Sequence, residues 1–250
     1  MKEEITCVIY LRAHFYAPKS FGFGAYFIEG GNKMNSKTKK ITTIAMLSAI
    51  AYLVMVVGRF SVVPAAPFLK YDPKDVIITL GGLIWGPLTS FIVSAITSVI
   101  EMVTVSESGP IGCVMNIVST CSFACTAAFI YKKMRTLKGA VIGLVAGSLA
   151  MVIVMLLWNY LLTPIYMGTP REVVASMLLP AFLPFNALKA GLNAAFTFLL
   201  YKPIVTALRK SGFISMSENK SKSNSIGIIV LAAVIIVTCI LIILSMNNVI

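Results

Sequence analysis

Three polar residues late in the chain, Asn186, Lys189 and Asn193, recur at i, i+3 and i+7 inside an otherwise apolar stretch. That spacing puts two carboxamides and an ammonium on one face of a helix. Carboxamides both donate and accept, whereas an ammonium only donates. Such a face suits a neutral ligand carrying carbonyls, ring nitrogens and hydroxyls. Asn116 and Asn159, each in another apolar stretch, extend the same chemistry. A buried amide is also ordinary glue between membrane helices, and for any single asparagine that plainer role competes with binding. Lys189 is harder to dismiss, because an ammonium at membrane depth needs several acceptors. Glu101 is the second ionisable group in apolar surroundings, and it stands near the end of its stretch, where a carboxylate could reach water. Site and solvent are equal readings for it. Tyr71, Trp158, Tyr160 and Phe185 could wall a flat ligand, although Trp and Tyr also gather at membrane interfaces.

Other chemistry is missing. The sequence has no P-loop, no G-x-G-x-x-G, no H-E-x-x-H and no histidine in an apolar stretch, its single histidine being His14. A hydrolase working within a membrane needs a nucleophile–base pair or metal ligands at depth, and a lone lysine and a lone glutamate on different stretches supply neither. Five cysteines, an odd count with no C-x-x-C pair, argue for buried thiols rather than a disulfide framework or zinc site. The pattern is that of a binder, not an enzyme, and it holds no energy source of its own.

The elements that position these residues follow from composition. Of 250 residues, 58% are hydrophobic and 12% charged, with a mean hydropathy of +0.90. A water-soluble domain is about a quarter charged, and a bilayer-spanning helix needs about 20 apolar residues. The fold class is therefore all-α and polytopic. Spans are expected at Ile41–Phe60, Asp75–Trp85, Pro87–Val103, Ile111–Tyr131, Gly139–Leu162, Leu179–Tyr201 and Ile226–Ser245. The second is short and turns at Trp85-Gly86-Pro87 into the third. Between the first two, the loop from Val62 to Lys74 carries three prolines together with Phe68, Leu69, Tyr71 and Asp72. A stiff, half-apolar loop of this kind reads as a re-entrant lid.

The net charge of +12 serves topology rather than nucleic acid. Segments 33–40, 132–138 and 202–222 hold four, four and five Lys+Arg, against Arg59, Lys70, Lys74 and Arg171 on the other side. This places the N-terminus of the first span in the cytoplasm and the lid outside. Residues 1–33 resemble neither a span nor a signal peptide, and read as a poorly ordered extension or a misassigned start. Residues 34–210 form the binding domain, 211–225 a Ser- and Lys-rich linker, and 226–246 an extra helix with no polar face, expected to be peripheral. Ala45 and Ala49 make an A-x-x-x-A pair that would let another helix approach closely.

The run Phe68-Leu69-Lys70-Tyr71-Asp72-Pro73-Lys74-Asp75, followed by Gly81-Gly82-Leu83-Ile84-Trp85-Gly86-Pro87, resembles the riboflavin-specific S components of energy-coupling factor (ECF) transporters. Gly109-Pro110-Ile111-Gly112 leading to Met115-Asn116, Asn159-Tyr160 leading to Pro164-Ile165-Tyr166, and Pro184-Phe185-Asn186 leading to Lys189 agree with it. The resemblance covers about residues 36–205. It implies a six-helix bundle that binds riboflavin from outside, plus one additional C-terminal helix in this chain. It further implies a transmembrane coupling protein and two ATP-binding subunits as partners in a bacterial cell membrane, and no cofactor, riboflavin being the transported ligand. Carried onto this sequence, Leu69, Tyr71 and Asp72 belong to the lid, while Asn159, Asn186 and Lys189 meet the polar edge of the flavin. Asn116, Glu101, Phe68 and Trp158 are further candidates, and Ala45 and Ala49 match the docking face. An S component for another vitamin, an intramembrane enzyme and a purely structural membrane protein are the competing readings.

Overall fold

Within a bilayer each backbone polar group must find its partner in its own segment, so apolar runs of span length become helices. The computed structural model describes residues 36–63, 66, 68–106, 108–210 and 225–247. The expectations for residues 1–33 and for linker residues 211–224 lie outside the described residues. The elements are α1 (Ser36–Gly58), β1 (Phe60–Ser61), β2 (Lys70–Tyr71), α2 (Lys74–Trp85), α3 (Pro87–Thr104), α4 (Gly109–Met134), α5 (Leu137–Met167), α6 (Arg171–Met177), a π turn (Leu178–Phe182), α7 (Leu183–Lys210) and α8 (Ser225–Met246). The six-helix bundle is built from α1 to α5 and the α6–α7 segment, with α8 added.

Among the described residues, five segments are long and apolar enough to cross a membrane: Lys37–Gly58, Pro87–Thr104, Gly109–Met134, Leu137–Ile165 and Arg171–Leu208. The 12 residues of α2 rise only about 18 Å, so this helix starts under the lid and stops part-way. It ends at Gly86, whose φ of 103° lies in the region glycine adopts freely, and Pro87 opens α3. The hairpin expected at Trp85-Gly86-Pro87 is therefore present. Here the end of the molecule holding this turn is termed the hairpin end, and the opposite end the lid end.

Small residues let α4 and α5 touch backbone to backbone. A Cβ on Gly143 would lie 2.7 Å from the Ala127 carbonyl oxygen, and one on Gly147 would lie 2.6 Å from that of Phe123. This G-x-x-x-G contact sets the spacing of these two long helices of the bundle. Around it packs a core of Phe123, Ala127, Leu144 and Met151 with Ala51, Ile78 and Val93 from the other helices.

A second core lies under the lid. Phe60 pairs with Tyr71 and Ser61 with Lys70 in a two-stranded antiparallel ribbon, a strand feature the sequence patterning did not suggest. Val62, Val63, Ala66 and Tyr71 from this region pack with Ala181, Phe185, Leu188 and Leu192. Helix α8 packs onto this cluster, and none of its residues lines the cavity described below. Its Cys239 is buried in this cluster, with Ile235, Ile243 and Met246 beside it. A Cβ on Gly191 of α7 would stand 3.4 Å from the Cys239 sulfur. Ala45 and Ala49 are exposed on α1 along with Ile41 and Leu53, while Ser48 turns inward.

Candidate functional site

The ligand-sized cavity at the lid end is made by side chains from five parts of the chain. It holds about 150 Å3, or 980 Å3 counted out to its mouth. Phe68, Leu69 and Asp72 enter from the lid, Glu101 from α3, Asn116 from α4, Asn159 from α5, and Phe185, Asn186 and Lys189 from α7. Arg59, Met115, Ser119, Met155 and Thr163 complete much of the wall. Sequence reasoning brought nine of these together from segments up to 121 residues apart, Phe68 to Lys189.

Three expected contributors stand elsewhere. Tyr71 is buried beneath the lid, where its hydroxyl donates to Asn193 Oδ1 at 3.1 Å. Trp158 does not line the cavity. Tyr160 is 37% exposed, with the Arg171 guanidinium 5.5 Å from its ring centre. The aromatic surface facing the cavity is instead Phe68 and Phe185, with Phe182 packed 6.1 Å from Phe68. Adjacent residues on α5 thus point different ways, while Asn159 and Thr163, one turn apart, share the inward face.

The floor is a set of buried charges that balances. Lys74 contacts Glu101 and lies 3.2 Å from Asp72, Arg59 contacts Glu101, and Lys189 lies 3.1 Å from Asp75. Three cations thus meet three carboxylates. Lys74 and Asp75 are fully buried. Asp75 also accepts from Thr120 at 2.7 Å and from the Asn193 amide at 3.2 Å. Asn116 donates to Glu101 at 3.1 Å. Glu101 is 2% exposed, so its carboxylate serves the floor and does not reach water. In the lid, burial alone would raise the Asp72 carboxyl, but the ammonium of Lys74, then that of Lys189 and the Arg59 guanidinium, hold it below the usual carboxylate range.

Sequence reasoning expected one cation among amides. It missed Arg59, Lys74 and Asp75 as members of the site. A signal was present: a buried ammonium at Lys189 requires a buried carboxylate, and Asp75 opens the short helix beside the lid.

Three buried polar atoms facing this region have no hydrogen-bond partner among the described residues: Asn186 Oδ1, Asp72 Oδ1 and Arg59 Nε. Two accept and one donates. Asn186 is held in place by its other end, since its amide nitrogen donates to the Phe182 carbonyl at 2.7 Å. That carbonyl belongs to the π turn Leu178–Phe182, which contains Pro180. Proline cannot donate to the helix ladder, and the turn widens around it. Asn159 is similarly tied, donating to the Met155 carbonyl at 2.7 Å and accepting from Thr163 at 3.2 Å. Orphaned buried groups are costly, so an occupant that supplies both donors and acceptors completes the cavity.

A family model described as ECF transporter, substrate-specific component, matches residues 39–201. The chain is 33% identical over 162 residues to the riboflavin transporter FmnP of Bacillus subtilis (strain 168), covering 61% of this chain and 85% of that protein. It is 28% identical over 190 residues to the riboflavin transporter RibU of Staphylococcus aureus (strain TCH60), covering 73% of this chain and all of that one. Among solved structures, the S component of a bacterial ECF transporter superposes with a TM-score of 0.60 at 29% identity, covering 69% of this chain and 99% of that chain. Every residue named above as lining the cavity falls within the matched stretch.

Proposed function

The chain belongs to the family of ECF transporter substrate-specific components, and on that premise we propose that it binds riboflavin from outside the cell and presents it to an ATP-driven coupling module. Membership makes it a multi-pass membrane transport component rather than an enzyme. The charge count supports an orientation with the N-terminus of α1 in the cytoplasm and the lid end outside.

The observation that carries the ligand reading is the pairing of a charge-balanced floor with orphaned acceptors and a donor. With Arg59, Lys74 and Lys189 already matched by Asp72, Asp75 and Glu101, the floor asks for no net charge from its occupant, and Lys70 adds one half-buried cation on the lid side of the cavity. An isoalloxazine ring offers an imide N–H to the Asn186 oxygen and carbonyls to the Lys189 ammonium, which has protons beyond the one aimed at Asp75. Ribityl hydroxyls can donate to Asp72 and accept from Arg59. Phe68 and Phe185 supply apolar surface for the flat ring. Leu69 and Asp72 close over it with the lid, Tyr71 anchors the lid from below, and Asn116, Asn159 and Glu101 hold the wall.

The relatives named riboflavin transporters support the same ligand. The coupling protein and two ATP-binding subunits are the partners that family membership calls for. The exposed Ala45 and Ala49 on α1 give the coupling protein a close-approach face. Residues 34–210 constitute the binding domain. Purification in detergent tests the ligand directly: a yellow protein with flavin absorbance supports the proposal, and a colourless one that fails to quench added riboflavin rejects it.

A further inference from the structure

The hairpin end holds a second cavity, of about 330 Å3, bounded by Trp85, Gly86, Tyr131, Lys132, Arg135 and Tyr201. It lies at the far end of the 26-residue helix α4 from the ligand cavity. Its space is built in by backbone. A Cβ on Gly86 would meet nothing within 4 Å, yet the φ of 103° keeps that position to glycine. The Tyr131 and Tyr201 hydroxyls hydrogen-bond at 2.6 Å with their rings edge-on. This joins α4 to α7 across one wall. Arg135 caps α4 in a left-handed conformation, its N–H donating to the Tyr131 carbonyl at 2.7 Å.

The charge at this end is one-sided. Among the described residues the carboxylates are Asp72, Asp75, Glu101 and Glu172; the first three serve the ligand cavity, and Glu172 opens α6 beyond the lid end of α5. None lines the second cavity. Lys132 and Arg135 therefore face it with no internal counter-ion among the described residues. They stand at the depth where α3 begins and α4 ends, beside an indole and two phenols. Basic pockets between transmembrane helices on the cytoplasmic side are suited to anionic lipid head groups, and the fork of an arginine matches phosphate oxygens.

We propose that this cavity binds a phosphate-bearing anion, supplied by an anionic phospholipid of the inner leaflet. Lys132 and Arg135 carry the charge contact, and Trp85 marks the rim. The sidedness rests on the topology given above; the charge contact does not depend on the identity of the vitamin.

The chain has two tryptophans, so Trp158→Phe leaves Trp85 as the only indole reporter. This variant in detergent is titrated with brominated phosphatidylglycerol and, separately, with brominated phosphatidylcholine. The expected result is half-quenching of Trp85 at a mole fraction at least about fivefold lower for the anionic lipid, on the order of one cation's contribution. Adding Lys132→Gln and Arg135→Gln together abolishes the preference while riboflavin binding, which these residues do not touch, stays unchanged and reports an intact fold. Each single variant reduces the preference in part, which keeps the test open if the double variant fails to fold. A preference that persists in sodium phosphate assigns the site to the lipid. One erased by phosphate but not by chloride at equal ionic strength assigns it to free phosphate, and overturns the lipid as source. Equal quenching by the two lipids overturns the site. So does a lipid preference unchanged in the double variant whose uptake is lost, which hands these cations to the coupling module.

Discussion

At the lid end, Arg59, Lys74 and Lys189 each face a carboxylate, whereas at the hairpin end Lys132 and Arg135 line a cavity with no carboxylate in its wall. The side chains are of the same kinds and their surroundings decide what they do. Charges taken out of water must be matched, because an unpaired buried ion costs several kcal/mol. Once matched, they lend polarity without net charge, and the cavity above them suits a neutral occupant. Charges at an interface keep their water, so they can remain unmatched and attract an anion from outside. One end recognises by hydrogen bonding, the other by charge.

The comparison breaks most severely at Lys189. Lys189→Ala leaves Asp75 buried without its cation and should cost about 3–5 kcal/mol of stability. The loss is read as a fall in thermal midpoint, with riboflavin binding lost alongside. Replacing both partners, Lys189→Met with Asp75→Asn, should restore most of the stability and not the binding. Recovery of neither would mean that the pair is not what holds the floor. At the hairpin end, by contrast, Lys132→Ala should leave the thermal midpoint within about 0.5 kcal/mol of the parent, as an exposed substitution does.

The next largest effect separates binding from coupling. Ala45→Trp or Ala49→Trp puts an indole on the exposed face of α1 and should abolish uptake in cells while riboflavin titrations stay at parent affinity. Joint loss of uptake and binding would place these alanines in the bundle's packing.

Asn186→Ala sharpens the comparison at one atom. Asn186 Oδ1 has no internal partner among the described residues, so its removal should weaken riboflavin by about 1–3 kcal/mol, or about ten- to hundredfold, measured by flavin fluorescence. An unchanged affinity would take Asn186 out of the contact set.

Much of this architecture was legible from local signals. Span lengths follow from apolar runs, the α2–α3 turn from Trp85-Gly86-Pro87, and the inward face of α7 from the spacing of Asn186, Lys189 and Asn193. What could not be read locally depends on distant partners. Asp75 and Lys189 are 114 positions apart in the sequence, and neither spacing nor hydropathy joins them. Trp158 and Tyr160 flank Asn159, and only the rotation of α5 against α4, set by Gly143 and Gly147, decides which of them faces inward. Helix α8 reads as peripheral because its surface is uniformly apolar, and the sequence did not show what it packs on. Apolar surface packs as well against Gly191 and the lid cluster as against lipid, and composition does not distinguish the two.

That packing yields a smaller effect. Ending the chain after Lys210 removes Cys239 and its neighbours from the cluster that includes Tyr71. The lid should open more readily, speeding riboflavin release about three- to tenfold by stopped-flow fluorescence; unchanged release would return α8 to a peripheral role. The smallest effect expected is that of pH. Asp72 is held below its ordinary value near 3.9. The stability it contributes is present above that value and is lost only as pH falls through the lower, folded one. Binding should be level from pH 8 to pH 5, and a decline within that window would assign the titration to another group.

The central claim is that the balanced floor at the lid end selects a neutral flavin. The most direct measurement is a fluorescence titration of the purified full chain with riboflavin and, in parallel, with its 5′-phosphate ester. The account predicts one riboflavin per chain and an affinity for the ester lower by about tenfold or more, since a phosphate brought to a floor already neutral leaves charge unmatched. Equal or tighter binding of the ester, or no binding of riboflavin, would contradict it.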